Sequence, residues 1–263
     1  MIFNFKKSKI TVDCFTYDET VYQLHKIRSA KLYYPELIKN MPNDLVINDP
    51  NTGVEIPLPT IKRCTGINEL YKHGAIIPFW LDYVCTPKSA LEGRSRLGVT
   101  DDKKMPTIAE HPPKQFEGLF TDYVHIKFGG VWNIVEKTGI KFLWNPATYN
   151  LNNHIHNFVV PPAVTFYDWQ CQTNLNMFVR KDSPDFTIHA GTPIVHLIPL
   201  TEKEVEYKCH QVSYEEWCAK NTIPLGFPTI LGTRNNTYWK LRRQSEELDA
   251  MEKKGKCPFG FGR

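Results

Sequence analysis

Apolar and polar residues alternate along several short stretches of the chain, with the period of two that a half-buried strand requires. The clearest stretch is Gln172–Arg180, and the next clearest is Tyr123–Phe128. The same pattern or a short apolar run predicts further strands at 9–17, 21–27, 75–85, 131–136, 140–145, 154–160, 163–169, 185–189, 192–200 and 204–212. Pro78 within the run 75–85 indicates an edge position or a bulge.

Turn signals separate most of these strands. Lys137-Thr138-Gly139 predicts a hairpin between strands 131–136 and 140–145, and Ala190-Gly191 predicts another pair of strands, 185–189 with 192–200. Residues 42–60 contain four prolines and are expected to form an extended surface loop. Short helices are predicted at Pro35–Asn40 and Thr65–His73, the second ended by Gly74.

The C-terminal part has a different pattern. Ser213 is expected to cap a helix over Tyr214–Lys220, and Asn236 a longer one that ends near Lys254. The longer helix has a narrow apolar stripe, which is the predicted docking site for a partner protein or a second copy and consists of Tyr238, Leu241, Leu248 and Met251. The expected organisation is a β-sandwich domain over 1–212 and a C-terminal helical extension over 213–263.

Many short strands without a βαβ rhythm predict a mainly β fold. The predicted architecture is an antiparallel β-sandwich or jelly-roll-like barrel with short helices and a C-terminal helix. Its core is expected to bury the apolar faces of three strands, namely Val124, Ile126, Leu175, Met177, Ile194 and Leu197.

The amino-acid composition and the net charge make several classes of function unexpected for this protein. The 263 residues are 41% hydrophobic and 23% charged, which is typical of a globular protein, and a net charge of +4 gives no strong field for binding nucleic acid. No apolar run reaches the roughly 18–20 residues that would span a membrane. Seven dispersed cysteines without CxxC spacing indicate reduced thiols and exclude zinc fingers. We therefore expect a cytoplasmic protein.

Three segments carry a resemblance to a known family. They are TIKRCTGINELYKHGAIIPFWLDY, VWNIVEKTGIKFLW, and NLNMFVR together with IHAGTPIVHLIPL, all between about Thr60 and Leu200. This part resembles an uncharacterised β-rich family found in marine phages and related bacteria. The resemblance implies a β-rich fold and a phage or bacterial context, with a location in the host cytoplasm or on the virion if the protein is viral. It transfers no catalytic residue, because Trp80, Trp132, Gly139, Gly191 and Pro193 are of the types that pack cores and form turns.

The histidines offer a metal-binding alternative. His154 and His156 begin a predicted strand and would point to one face, where a third histidine, either His196 or one of His125 and His189, could complete a cupin-like Fe, Mn or Zn site. In the opposing interpretation, His154 and His156 lie on a surface turn and His196 is a core residue bonded to a backbone carbonyl. No glutamate follows the His-x-His pair, and phosphate-loop, GxSxG and HExxH motifs are missing from the sequence.

We therefore expect a non-enzymatic protein with an interaction or structural role, without a cofactor. A cupin-like metal-dependent enzyme is the alternative. Binding to nucleic acid or to a membrane is not expected.

Overall fold

The computed structural model describes residues 9–87, 108–110, 119–151, 153–167 and 173–221. Within these ranges the protein is mainly β, with short helices. The strands are β1 Ile10–Thr16, β2 Arg28–Ser29, β3 Asp44–Asn48, β4 Glu55–Pro59, β5 Ala75–Pro78, β6 Tyr83–Cys85, β7 Ile108–Glu110, β8 Tyr123–Phe128, β9 Asn133–Val135, β10 Lys141–Pro146, β11 Phe158–Val159, β12 Ala163–Phe166, β13 Leu175–Arg180, β14 Phe186–Ile188, β15 Pro193–Pro199 and β16 Val205–Gln211. The α-helices are α1 Glu19–Leu24, α2 Glu36–Asn40, α3 Thr65–Leu70 and α4 Tyr214–Asn221.

The strands form three larger sheets and two separate pairs. Their orders are β16-β1-β9, β12-β10-β15-β5-β2 and β11-β13-β8-β7, and the pairs are β14-β6 and β3-β4. The pairing of β1 with β16 is parallel, and every other pairing among the described strands is antiparallel. The parallel pair joins the first described strand to the last one.

One hydrophobic cluster connects the three larger sheets. Val12 of β1, Phe142 of β10 and Met177 of β13 all belong to it and are fully buried. Alternation explains the faces, because β8 buries every second residue and leaves the intervening ones half exposed. The six residues predicted for the core are all buried, which confirms the predicted inward faces of β8 and β13. β15 is buried on both faces, as its apolar run predicts.

Two predicted elements have a different structure. Residues 19–24 form helix α1 rather than a strand, because the Asp18 side chain accepts a hydrogen bond from the Val21 amide (2.9 Å) and caps the helix. The run 75–85 is two strands, β5 and β6, in different sheets. Pro78 lies opposite an irregular step between Pro193 and Val195, which is the bulge that the sequence predicted as one of two alternatives. β5 is an inner strand of its sheet, but β2 pairs only with Ala75 and Ile76, so no β2 residue pairs with Pro78.

The two predicted hairpins are turns without strand pairing. Gly139 and Gly191 do have positive φ, as the turn signals require. However, β9 pairs with β1, whereas β10 pairs with β12 and β15. In the same way, β14 pairs with β6 and not with β15. Each turn therefore passes the chain from one sheet to another.

Helix α4 packs against the β-rich body. Ser213 caps it as predicted, accepting a hydrogen bond from the Glu216 amide (3.1 Å). Trp217 donates its indole N–H to the Val131 carbonyl (3.2 Å), and its ring meets Tyr17 edge-on. The compact unit that contains the described residues extends to Asn221. The predicted long helix 236–254 lies outside the described residues, and the expected division of the chain at residue 213 stays a prediction.

Candidate functional site

The His-x-His pair does not lie on a strand. Residues 153–157 form a turn that precedes β11, so the prediction of a strand beginning at His154 is wrong. His156 is exposed. His154 is half-buried and stacks on Phe158, and its Nδ1 has no hydrogen-bond partner in the described part of the chain. Burial, with a smaller contribution from His189, lowers the pKa of His154.

His196 is a core residue. It is 1% exposed and its Nε2 lies 2.7 Å from the backbone carbonyl oxygen of His73, which fixes this nitrogen as the protonated donor. Burial lowers the pKa of His196. This is the arrangement that the opposing interpretation expected. An Nε2 that donates to a carbonyl has no free lone pair for a metal ion.

The other two candidate ligands have different neighbours. His125 stacks on Phe178 (4.7 Å between ring centroids), and His189 Nδ1 lies 3.3 Å from Asp82 Oδ1. Within residues 9–87, 108–110, 119–151, 153–167 and 173–221, no three His, Cys, Asp or Glu side chains are placed to hold a metal ion.

None of the helices in the described ranges is long and apolar enough to cross a membrane. The predicted docking residues Tyr238, Leu241, Leu248 and Met251 lie outside the described residues.

The hairpin of β3 and β4 forms a candidate interaction surface that is separate from these histidines. Its two strands bond only to each other among the described strands, and the cross-strand partners on one side are Leu45 with Leu58 and Ile47 with Ile56. These four side chains are between 37% and 49% exposed. We call them the apolar hairpin face. An isolated two-stranded hairpin is marginally stable in water, so a face of this kind gains stability when it is covered.

The opposite side of the hairpin is mixed in character. It presents Asp44, Val46 and Asn48 of β3 against Pro59, Pro57 and Glu55 of β4. Asp44 forms an ion pair with Arg63 (2.7 Å), at the base of the hairpin. One side of the hairpin is therefore wholly aliphatic and the other mixed, and the aliphatic side remains partly exposed.

Prolines block one edge of this hairpin. The Thr60 amide donates across to Asn43 and the Asp49 amide to the Val54 carbonyl, so the even-numbered residues of β4 direct their backbone groups towards β3. The odd-numbered positions 57 and 59 therefore face outward, and both are prolines without an N–H. This edge of β4 cannot accept a further strand in regular register. The outer edge of β3, where Asp44, Val46 and Asn48 direct their backbone groups away from β4, has no proline and stays open to a further strand.

The sequence interpretation of 42–60 as a loop missed this hairpin because four prolines outweighed the strand signal. Two signals could have found it. Asp49 accepts hydrogen bonds from the Asn51 and Thr52 amides (2.7 and 3.2 Å), and Gly53 has a φ of +69°, which together make Asp-Pro-Asn-Thr-Gly a turn. On either side of that turn, the apolar positions match across the two strands.

Exposed large hydrophobics are concentrated in this part of the chain. Of the eighteen in the described residues, nine lie between residues 32 and 61. They are Leu32, Leu37, Leu45, Val46, Ile47, Val54, Ile56, Leu58 and Ile61. Scattered exposed apolar residues are ordinary, but four of these nine, the residues of the apolar hairpin face, lie together on one side of a single hairpin.

Comparison with known proteins gives no family assignment. No family model matches this chain, and no curated protein matches it. The resemblance to a marine phage family therefore stays a prediction.

Proposed function

We propose that this protein is a non-enzymatic interaction or structural component, of phage type, that associates with a second copy of itself through the apolar hairpin face. The observation that carries the proposal is the exposure of Leu45, Ile47, Ile56 and Leu58 on one side of a hairpin that no other described strand joins. Covering these side chains would remove apolar surface from water, which is the main driving force of association.

A second copy is the partner that this face fits best. The four side chains are all aliphatic, so the face is chemically complementary to itself, as the two halves of a two-fold symmetric interface must be. Face-to-face packing of two hairpins about 10 Å apart resembles the packing of sheets in a sandwich. The outward prolines of β4 disfavour edge-to-edge joining through that strand, so the competing mode is edge-to-edge pairing through β3.

We propose in addition that the larger sheets stack as a sandwich of the jelly-roll type, antiparallel except for the pair of β1 and β16. The shared hydrophobic cluster supports this, because it draws residues from all three larger sheets. Such a body would hold the hairpin outward and supply a rigid base for it.

The experiment is the oligomeric state of the full chain, measured by sedimentation velocity between about 1 and 100 μM. We expect reversible self-association in the native protein and a monomer in Ile47→Lys, since a lysine on the apolar hairpin face would have to be desolvated. Val46→Lys is the matched control. Val46 is the neighbouring residue on the opposite side of β3 and is 68% exposed, so this variant should associate as the native protein does.

Two results would contradict the proposal. One is a native protein that remains a monomer over the whole concentration range. The other is equal loss of association in Ile47→Lys and Val46→Lys, which would show that the added charge acts without regard to the face.

A further inference from the structure

A cavity of about 360 Å³ lies where two edge strands approach each other. One wall is β2, at the edge of the five-stranded sheet, and another is the start of β16, at the edge of the three-stranded sheet. The turn after α3 closes a third side, held to the segment after β2 by a hydrogen bond from the Ala30 amide to the Gly74 carbonyl (3.1 Å). The volume is within the usual range for small-ligand sites.

Among the fifteen residues that line this cavity, cationic side chains outnumber acidic ones. Five are lysine or arginine, namely Lys9, Arg28, Lys31, Lys72 and Lys203, and two are acidic, Glu204 and Glu206. The chain as a whole has nearly equal numbers of basic and acidic residues, so this excess is local.

Both carboxylates form ion pairs with one of these lysines, Lys9. Lys9 Nζ lies 3.4 Å from Glu204 and 3.6 Å from Glu206, and these carboxylates raise the pKa of Lys9. Lys72 has its own partner in Glu69.

Three cations remain around the cavity after these pairs are formed. Arg28, Lys31 and Lys203 make no ion pair with a carboxylate of the described residues. They come from three different positions, which are strand β2, the 3-10 turn Ala30–Tyr33 and the turn before β16. Like charges around one cavity repel each other, and a bound anion would remove that repulsion.

We propose that this cavity binds a small phosphate-bearing anion through Arg28, Lys31 and Lys203. The shared chemistry is a diphosphate group, supplied either by free pyrophosphate or by a nucleotide. Arg28 can bind two phosphate oxygens with its planar guanidinium, whereas the lysines act as point charges at either side. The site lies apart from the apolar hairpin face in the sequence, and the proposal does not depend on self-association.

The test is calorimetric titration of the full chain with inorganic pyrophosphate at low ionic strength, with parallel titrations of ATP, AMP, sulfate and a single-stranded oligonucleotide. We expect saturable 1:1 binding of pyrophosphate and ATP that weakens as salt is raised, and weaker binding of sulfate. Equal affinity for pyrophosphate and ATP would show that the diphosphate group alone accounts for binding. Tighter binding of ATP would show that the ligand of this site is a nucleotide.

The variant Lys31→Gln/Lys203→Gln should bind pyrophosphate at least tenfold more weakly. Both side chains are exposed, so the fold is expected to be retained, and an unchanged Tm verifies this. Lys141→Gln removes one charge from an exposed lysine of β10 outside the cavity and should change the affinity less than twofold. Arg28→Gln tests the third cation separately and should also weaken binding.

Three results would overturn the proposal. They are the lack of saturable binding by the native protein, an equal loss of affinity in Lys141→Gln and the double variant, and tighter binding of a single-stranded oligonucleotide than of ATP. The last result would assign the cations to a nucleic-acid surface instead of a small-ligand site.

Discussion

The cysteine thiols differ sharply in what surrounds them. Cys64 is exposed, whereas Cys14 and Cys85 are buried. A hydrogen bond with Cys209, together with burial, raises the pKa of Cys14, and burial raises the pKa of Cys85 to about 12. Since the thiolate is the reactive form, the two buried residues have neither access nor the reactive charge state.

We therefore predict the order in which these cysteines react with N-ethylmaleimide in the native protein. Cys64 should be modified first, the half-buried Cys209 more slowly, and Cys14 and Cys85 only when the protein unfolds. Peptide mass spectrometry after timed quenching measures this order. Labelling in denaturant is the control, and rapid native modification of Cys14 would show that β1 is not buried as described.

His196 should make the stability depend on pH. Burial lowers the pKa of His196 in the folded state, so protonation favours the unfolded chain. This contribution is fully present above the unfolded pKa of about 6.5 and is lost as the pH falls. We predict a smaller drop in the free energy of unfolding between pH 7.5 and 5.5 for His196→Gln than for the native protein. Exposed His156→Gln should keep the native dependence, and the same dependence in both variants would contradict the prediction.

At the scale of elements, a comparison of two glycines separates the effect of backbone conformation on stability from the effect of steric crowding. Gly53 and Gly74 have nearly the same φ, +69° and +76°. A Cβ at Gly53 would have open space around it, whereas a Cβ at Gly74 would lie 2.2 Å from the Leu197 carbonyl oxygen. The turn after α3 therefore needs glycine for two reasons and the hairpin turn for one.

We predict that Gly53→Ala costs about 1–2 kcal/mol, the usual penalty for a side chain in the left-handed region. Gly74→Ala should cost clearly more, about 3 kcal/mol or above, because β15 must also move. Chemical denaturation of the two variants measures the difference. Equal destabilisation would mean that β15 and the turn are not in contact.

The pairing of β8 with β13 gives a second test at this scale. Met177 of β13 is fully buried opposite Ile126, so Met177→Ala should lower the free energy of unfolding by about 2–5 kcal/mol. Val159→Ala in the adjacent β11 is the control, since Val159 is exposed and should cost under about 1 kcal/mol. A near-neutral Met177→Ala would place the wrong face of β13 in the core.

At the scale of the whole molecule, the parallel pair of β1 and β16 and the separate β3–β4 hairpin differ in burial and in the number of strands beside them. β1 lies between β16 and β9, with Val12, Cys14 and Phe15 fully buried. The β3–β4 hairpin has no third described strand and exposes its apolar side chains. Amides of β1 should therefore exchange only on global unfolding, and those of the hairpin by local opening.

We predict that native-state hydrogen exchange is slowest in β1 and fast in the hairpin at low protein concentration. Hairpin exchange should slow as the concentration rises, because association covers the apolar hairpin face, while exchange in β1 stays the same. Mass spectrometry of peptic peptides measures both segments in one sample. Hairpin protection equal to that of β1 in dilute protein would show that the hairpin is part of the folded body.

The sequence by itself determined the mainly β class and the buried face of several strands. Alternation alone identified Val124, Ile126, Leu175 and Met177 as core residues, because period two is a local property of a half-buried strand. Turn glycines and the Ser213 cap were also predictable, since each depends on a single backbone conformation or hydrogen bond.

Only the tertiary structure decided which strands pair. The turns at Gly139 and Gly191 look like hairpin turns in the sequence, yet the strands on either side separate into different sheets. The parallel match of Cys14 with Cys209 joins residues almost two hundred positions apart, and no local pattern encodes it. Likewise, the apolar hairpin face and the cavity near Arg28 became visible only once exposure was known. Local patterns report what a residue prefers, whereas pairing and exposure depend on the packing of the whole chain.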